Sequence, residues 1–413
     1  MKVLVLGSGG REHALVWKLR QSPRISQLYC APGNGGIAGE ADCLAVDLQS
    51  LESITSLATR LQPDLTVVVD EFTRRGWPAF GPRRAAARLE SSKSFAKEFL
   101  QRHHIPTAPF AICDSIEQVR SALSHFHVPV VVKADGLAAG KGVVIAKSKD
   151  EAREVAAQML SGKMLGAAGA RVVLEECLKG DELSFLVFSD GERVAPLVGA
   201  QDHKRVGDGD TGPNTGGMGA YSTSDILDDR MRDWLVNHIA RPVVAGMKAE
   251  GAEFKGVLYC GLMMTARGPM VLEFNCRFGD PETQPILMRL ESDLVEALEA
   301  SIEGRVSDGD FRWSRDASVC VVMSAGGYPG TYEVGKRIDG LDEADAVEGV
   351  KVFHAGTTRR DGVYYTAGGR VLGVTARAHD LETAVERAYE ACGKIGFDGA
   401  HYRKDIAGRA LKK

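Results

Sequence analysis

The chain has 413 residues, of which 44% are hydrophobic and 26% are charged, and its formal net charge is −4. These values are typical of a soluble globular protein with about two to four domains, and the weak acidity gives no electrostatic reason to expect nucleic acid or an anionic membrane as a partner. The eight cysteines are scattered without a C-x-x-C pair, and no apolar run approaches the roughly 18 residues that span a bilayer, which argues against a zinc site, a disulfide framework and a membrane segment.

The first part of the chain, to about residue 95, alternates predicted strands with predicted helices. Strands are predicted at 3–6, 27–30 and 65–69, and helices from about residue 11 and near 50–61. This alternation indicates a parallel α/β sheet. The first strand begins at once, without the cationic region, apolar core and cleavage site of a secretory signal, so a cytoplasmic location is expected.

Two glycine-rich turns follow the first two strands, at 7–13 (GSGGREH) and 32–36 (PGNGG). The first differs from the dinucleotide fingerprint because Glu12 takes the place of its third glycine, and the second strand ends without an acid for an adenosine ribose. NAD is therefore disfavoured. A glycine turn at a helix N-terminus still favours phosphate, so a phosphate site is predicted here. His13 is expected to be structural or capping rather than catalytic.

A third glycine-rich turn carries two lysines. After a predicted helix at 91–103, predicted strands at 129–133 and 143–147 flank the sequence KADGLAAGKG at 133–142. A P-loop needs four residues between its glycines, a Ser or Thr after its lysine and a following helix, and none of these conditions is met. The segment is a hairpin turn that either closes over phosphate as a lid or is a plain turn with solvated lysines.

Two polar segments follow a predicted helix near 149–160 and predicted strands at 171–175 and 183–188. The first is VLEECLKGDE at 173–182. Its residues alone are equally consistent with an acidic surface turn and with a ligand-binding segment. The second, 201–221, contains six glycines and exceeds the ~12–15 residues of ordinary loops, so it is either functional or a flexible linker.

The densest group of ionisable side chains lies at 273–284. Predicted strands at 259–265 and 269–275 flank the hairpin turn at Arg267 and Gly268. Glu273 and Asn275 lie two residues apart on the second strand and share one face, where their oxygens suit Mg²⁺ that also binds phosphate. The alternative is a polar strand end with a surface turn, but such a density of charge favours a bound ligand or metal.

A third unit begins near residue 317. Strands are predicted at 319–324, 350–354 and 371–376, with one helix at 381–394. No internal repeat or low-complexity segment is present in the sequence.

The sequence RFGDPETQ at 277–284 resembles the hallmark of the glycinamide ribonucleotide synthetase (phosphoribosylamine–glycine ligase) family, within the ATP-grasp superfamily of carboxylate–amine ligases. The resemblance covers nearly the whole chain, from 7–14 to 402–406. It implies an α/β ATP-grasp fold with an N-terminal parallel α/β domain (1–95), an ATP-grasp domain (96–305, with a mobile lid at about 111–178) and a small C-terminal domain (317–413).

The resemblance also implies the chemistry and the site residues. The expected substrates are ATP, glycine and 5-phosphoribosylamine, with Mg²⁺ or Mn²⁺ as the metal, in a monomer or weak homodimer without nucleic acid or membrane partners. ATP would bind to Lys97, Lys133, Gly136, Gly140, Gly142, Glu175, Glu176, Leu178 and Glu182. The metal ligands would be Glu273 and Asn275. The other substrates would bind to Gly9, Gly10, Asn34, Asp202, Lys204, Asn214 and Glu282. The expected catalytic residues are Arg277, Asp280 and Lys141.

The chain departs from the family after the strand at 65–69. Only seven residues separate it from a strand-like run at 77–80, where the family has a Gly-Pro-Glu loop facing phosphoribosylamine. We interpret this as a stretch of chain missing between Val67 and Asp70, which predicts a Cα spacing there well beyond about 3.8 Å. A true deletion would favour a non-catalytic nucleotide-binding relative. The other alternative is a different ATP-grasp ligase.

Overall fold

The computed structural model describes residues 1–67, 78–136, 142–162 and 166–411. Its N-terminal unit is a five-stranded parallel sheet, as predicted, in the order β3-β2-β1-β4-β5. Val3, Leu4 and Val5 are fully buried, as expected of a central parallel strand covered on both faces. The elements are β1 (Lys2–Gly7), α1 (Gly10–Leu19), β2 (Gln27–Pro32), β3 (Asp42–Cys43), α2 (Leu51–Leu61), β4 (Leu65–Val67) and β5 (Ala79–Phe80).

The segment between β4 and β5 is the place where the sequence predicts missing residues. Strands β4 and β5 pair in parallel, with Thr66 opposite Ala79. Residues 68–77 lie outside the described residues, and the Cα spacing predicted between Val67 and Asp70 lies there with them.

The second unit is a four-stranded antiparallel sheet in the order β6-β9-β7-β8, covered by two helices. The helix predicted at 91–103 is present at Lys93–Arg102, and it begins two residues later than predicted because Ser92 has an extended backbone and caps it by accepting the Phe95 N–H. The elements are α3 (Arg88–Ser91), α4 (Lys93–Arg102), β6 (Phe110–Cys113), α5 (Ile116–Leu123), β7 (Val130–Ala134), β8 (Val143–Ala146), α6 (Lys149–Leu160) and β9 (Val172–Glu176).

The third unit is an antiparallel sheet in the order β11-β10-β16-β17, and it contains the predicted hairpin at Arg267 and Gly268. Gly268 has φ +103°, a conformation that favours glycine. The elements are β10 (Asp181–Asp190), β11 (Val194–Pro196), β12 (Gln201–Asp202), β13 (Arg205–Gly207), β14 (Thr211–Asn214), β15 (Gly219–Ser222), α7 (Asp229–Leu235), a π-helical turn (Val236–Ala240), α8 (Arg241–Ala249), β16 (Lys255–Thr265), β17 (Gly268–Asn275), α9 (Thr283–Arg289) and α10 (Leu294–Glu303).

The segment 201–221 is ordered by tertiary pairing, so the flexible-linker alternative is wrong. Strands β13 and β14 form a hairpin, while β12 and β15 join the sheet of the C-terminal unit. All four residues of β15 are buried. Because these strands are only two to four residues long and rich in glycine, their pairing depends on distant partners rather than on local sequence.

The C-terminal unit is a five-stranded sheet in the order β12-β15-β18-β23-β20, with a smaller sheet in the order β19-β22-β21. It has a short helix, α11, that the sequence did not predict. In the described part of the chain, no helix is long and apolar enough to cross a bilayer. The elements are β18 (Ala317–Ser324), β19 (Arg337–Ile338), α11 (Leu341–Asp345), β20 (Val350–His354), β21 (Thr357–Arg360), β22 (Val363–Thr366), β23 (Arg370–Ala378) and α12 (Leu381–Lys394); short 3₁₀ turns lie at Ile37–Gly39, Gly166–Gly169, Asp208–Asp210, Ser224–Ile226 and Asp308–Asp310.

Candidate active site

A polar cavity of about 230 Å³ lies between α4, strands β8 and β9, and strand β17. Strand β17 contributes Glu273 and Asn275 to the cavity lining from one face, as their spacing predicts, together with Leu272 and Phe274, while Val271 is buried in the core. A bulge helps this placement, because Glu273 lies opposite Gly261 while Val271 lies opposite the next residue, Leu262. The other charged lining residues are Glu90, Lys93, Lys97, Glu175 and Arg277.

Two of the predicted ATP-binding lysines share one buried carboxylate. Glu175 on β9 binds the ammonium group of Lys97 at 2.8 Å and that of Lys133 at 2.9 Å. Its side chain is only 2% exposed, so leaving it unpaired would be costly. Burial alone would raise the pKa of Glu175, but the charges of Lys133 and Lys97 hold it below its ordinary value. Glu175, which the resemblance places among the ATP-binding residues, therefore fixes the two lysines.

The lowered pKa of Lys97 predicts that ATP binding depends on pH. Burial lowers the pKa of Lys97 to about 8, against the raising effect of Glu175. The ammonium form is thus complete well below pH 8 and is lost as the pH rises through about 8. We expect the affinity for ATP, measured by equilibrium binding to the free protein, to decline across this range. Lys97→Arg should remove the decline, since a guanidinium stays protonated; an unchanged pH profile in that variant would contradict the assignment.

Glu273 and Asn275 supply one carboxylate and one carboxamide oxygen to the cavity. Burial alone would raise the pKa of Glu273, but Lys204, Lys133, Lys93 and Arg277 hold it below its ordinary value. Among the described residues, no group of three or more His, Cys, Asp or Glu side chains is placed to hold a metal ion. The two hard oxygen donors fit Mg²⁺, which usually takes one or two protein ligands and completes its shell with phosphate oxygens and water.

Arg277 lines the same cavity but is already paired. Its guanidinium lies 3.1 Å from Glu90 Oε1 and donates to Asn275 Oδ1 at 3.1 Å. The second oxygen of Glu90 accepts the backbone N–H of Cys276 at 2.7 Å. Glu90 therefore orients Arg277 and leaves it less free to bind phosphate than predicted. The sequence analysis missed Glu90, because it lies far from this segment along the chain.

Glu182, predicted to bind ATP, and Lys204, predicted to bind one of the other substrates, are partners in the structure. Lys204 Nζ donates to Glu182 Oε2 at 2.7 Å. Burial lowers the pKa of Lys204, but Asp202, Glu182 and Glu273 together raise it above its ordinary value. Burial raises the pKa of Asp202 to about 7, against the opposing charge of Lys204. A second cavity, of about 560 Å³, adjoins this cluster and contains Glu182, Asp202 and His203.

Glu282 lies at the centre of a buried hydrogen-bonded group. Its Oε1 accepts the Tyr259 hydroxyl at 2.6 Å and the Ser184 hydroxyl at 3.1 Å. Burial and the nearby Glu282 and Asp202 charges raise the pKa of Tyr259 well above its ordinary range, so it stays a donor. Ser184 and Tyr259 were not predicted, because both lie within long strands whose sequences resemble ordinary core strands.

The first glycine turn packs against the segment 280–284. The Gly9 N–H, predicted to meet phosphate, donates to Glu12 Oε2 at 2.7 Å. A Cβ added at Gly9 would lie 2.8 Å from Glu12 Oε2 and 3.5 Å from Asp280 Oδ2, and one added at Gly10 would lie 2.9 Å from Gln284 Nε2. Glycine therefore allows close packing here. In this structure the Gly9 N–H is occupied by Glu12, and two carboxylates lie beside it.

Asn34 is fully engaged within the protein. Its Nδ2 donates to the carbonyl oxygens of Ser8 and His354, both at 2.8 Å, and its Oδ1 accepts the N–H groups of Gly36 and Ile37 at 3.0 Å. The side chain thus fixes the second glycine turn against the first and against β20. Its function in the structure is positional, where direct substrate binding was expected.

The remaining predicted residues have different surroundings. Gly136 approaches the backbone so closely that an added Cβ would lie 2.7 Å from Ala168 Cα. Gly142 lines the cavity, while Gly140 and Lys141 lie outside the described residues. Glu176 turns outward to Arg267, and its backbone N–H donates to Pro109 O at 3.0 Å. Leu178 is buried, and Asn214 pairs with Arg205 in the β13–β14 hairpin.

Comparison with known proteins gives consistent matches along the chain. Family models described as phosphoribosylglycinamide synthetase match it at 1–90 (N domain), 91–283 (ATP-grasp (A) domain) and 318–409 (C domain). The chain is 48% identical to the phosphoribosylamine–glycine ligases of Pseudomonas aeruginosa and Escherichia coli, covering all of this chain and 99% of each relative. A Thermotoga maritima phosphoribosylamine–glycine ligase structure superposes with a TM-score of 0.88 at 34% identity over 98% of this chain and all of that one.

Two further comparisons bear on fold and length. A biotin carboxylase structure from Campylobacter jejuni has a TM-score of 0.74 at 16% identity, covering all of this chain and 95% of that one, which shows a shared fold. The alignment with the Pseudomonas relative extends over 429 positions, more than the 413 residues of this chain. That relative therefore has residues that this chain lacks, and the sequence analysis places such a shortening after β4.

Proposed function

Since the chain belongs to the phosphoribosylglycinamide synthetase family, we propose that it catalyses the ATP-dependent ligation of glycine to 5-phosphoribosylamine, giving glycinamide ribonucleotide, ADP and phosphate in purine biosynthesis. The structural observation that carries the proposal is that Lys97, Glu175, Glu273 and Asn275 line one cavity, with Lys133 paired to Glu175. Cations and hard oxygen donors facing each other are what phosphoryl transfer requires, because positioning and charge neutralisation provide most of its catalysis.

The phosphate end of ATP is assigned to the first cavity. Lys97 and Lys133 neutralise phosphate oxygens, and Glu175 keeps both ammonium groups in place. Glu273 and Asn275 would hold Mg²⁺ or Mn²⁺, and the metal would supply positive charge that neutralises the phosphate oxygens. The backbone near Glu176 and Leu178 is assigned to adenine. Glu182 is assigned to the ribose, and binding the ribose hydroxyls would replace part of its contact with Lys204.

The ligation proceeds in two steps at these residues. The glycine carboxylate attacks the γ-phosphorus of ATP, the bond to ADP breaks, and glycyl phosphate forms. The amine of 5-phosphoribosylamine then attacks the carbonyl carbon, phosphate leaves with the bonding electrons, and the nitrogen loses a proton. Asp280 and Glu282 orient the amino groups, and a lid at about 111–178, bearing the glycine turn with Lys141, excludes water from the acyl phosphate.

A phosphate-release assay tests the function. The protein is supplied with ATP, Mg²⁺, glycine and 5-phosphoribosylamine, and each substrate is omitted in turn. We expect full phosphate release and a glycinamide ribonucleotide product only in the complete mixture. Another ATP-grasp ligase would respond to a different amino acid. A non-catalytic nucleotide-binding relative would release no phosphate in any mixture, which would contradict the proposal.

Lys133→Ala should weaken ATP binding more than glycine binding. The variant loses a charge-assisted hydrogen bond to phosphate, worth about 1.5–3 kcal/mol, which corresponds to a Kd for ATP about 10–150-fold higher. The Kd for ATP and the KM for glycine are the quantities to compare. Lys147→Ala, an exposed lysine just after β8, is the matched control and should change neither. An equal loss for both substrates would assign Lys133 to shaping the lid.

A further inference from the structure

Arg370, the first residue of β23 in the C-terminal sheet, reaches into the acceptor side of the site. Its Nη2 donates to Asp280 Oδ2 at 3.0 Å, and its Nη1 donates to the backbone oxygens of Asp280 at 2.8 Å and of Gly216 at 2.6 Å. One planar guanidinium therefore holds both the side chain and the main chain of Asp280. A lysine has no such planar fork and acts only as a point charge.

The other oxygen of Asp280 is held as well. Gln284 Nε2 donates to Asp280 Oδ1 at 3.0 Å. A carboxylate has about four lone-pair sites on its two oxygens, so these two donors leave acceptor capacity on each oxygen. The side chain remains 16% exposed, and its Oδ2 lies beside Gly9 in the first glycine turn. Asp280 is thus rigidly placed and still able to accept a hydrogen bond from a ligand N–H.

Three separate parts of the chain meet at the contact between Arg370 and Asp280. Gly217, at φ +114°, lies so close to Pro281 that an added Cβ would be 2.4 Å from its Cδ. The Gly216 N–H donates to the Tyr328 hydroxyl at 2.9 Å. The glycine-rich segment 216–217, the turn at 280–281 and the C-terminal sheet therefore meet at Arg370.

We propose that Arg370 is a positioning residue for the acceptor: it fixes Asp280 so that this carboxylate accepts an N–H of the attacking amine of 5-phosphoribosylamine. The inference rests on the proposed function. It gives the C-terminal domain a defined part in acceptor recognition, because the contact that orients Asp280 comes from β23. Arg370 itself does not touch the reacting atoms.

Steady-state kinetics of Arg370→Gln test the proposal against a matched control. Arg377 lies on the same strand and donates to Met288 O at the far end of α9, so Arg377→Gln also removes a contact between the C-terminal sheet and the core. For Arg370→Gln we expect kcat/KM for 5-phosphoribosylamine to fall about 10–100-fold, with the KM values for ATP and glycine within about twofold of wild type. Arg377→Gln should leave all three parameters close to wild type, and the thermal midpoints of the two variants should be similar.

Two further variants separate positioning from a structural role. If Arg370 acts through Asp280, the double variant Arg370→Gln/Asp280→Asn should be no slower than Asp280→Asn alone, whereas independent effects would multiply. Arg370→Lys, which keeps one charged contact, should recover part of the lost kcat/KM and serves if the glutamine variant does not fold. Equal changes in all three KM values, or multiplying losses, would overturn the proposal. Failure of the proposed function itself is distinguishable, because the wild-type protein would then form no product.

Discussion

Glu273→Gln is expected to abolish turnover while leaving the fold intact. Glu273 supplies the charged oxygen of the proposed metal pair on β17, and its carboxylate lines the cavity and interacts with the charges of Lys204, Lys133 and Lys93. The amide keeps the shape but removes the charge, so Mg²⁺ and the phosphate oxygens are no longer brought together. We expect kcat to fall about 1000-fold or more, by analogy with the loss of one main electrostatic contact to a transition state. Turnover and the thermal midpoint are the two measurements.

A metal titration sharpens this test. With ATP present, the apparent affinity of Glu273→Gln for Mn²⁺, followed by its paramagnetic signal, should be much weaker than that of wild type. Asn275→Asp is the matched variant, because it changes the neighbouring ligand on the same strand face but keeps an oxygen donor, and it should retain metal binding. Near-normal turnover of Glu273→Gln in saturating Mg²⁺ would contradict the metal assignment.

Features that depend on neighbouring residues can be predicted from the sequence, whereas contacts between distant parts of the chain cannot. The placement of Glu273 and Asn275 follows from the two-residue period of a strand, which is local, and the structure has both facing the cavity. Glu90 and Arg370 contact the same active-site segment from distant parts of the chain, and no local pattern reveals such partners.

The errors have the same physical origin. The glycines at the start of α1 form a pattern typical of a phosphate turn, yet Glu12 caps this turn and the segment 280–284 packs against it. The segment 201–221 has the composition of a loop, but its strand β15 pairs with the distant strand β18. The break before α4 needed only Ser92, a good N-cap residue, and could have been predicted from the sequence.

Glu175→Gln is expected to have the largest effect on stability. Its carboxylate is shared by two buried ammonium groups, and removing one partner of a buried ion pair costs about 3–5 kcal/mol, because the remaining charges stay unpaired. Glu176→Gln is the matched control: the next residue along β9 has an exposed ion pair with Arg267, worth about 0.2–1 kcal/mol. Thermal denaturation of the two variants should therefore show a large loss for the first and little change for the second.

The response of Glu175→Gln to ATP then shows what the carboxylate does. Phosphate oxygens are anions that can take the place of Glu175 beside Lys97 and Lys133, so ATP with Mg²⁺ should raise the thermal midpoint of this variant more than that of wild type. The variant would then be less stable but still able to bind nucleotide, because the two lysines remain. If Glu175→Gln instead loses as much ATP affinity as Lys133→Ala, the carboxylate is needed to orient the lysines toward phosphate. Orienting the lysines would then matter more for ATP binding than neutralising their charge.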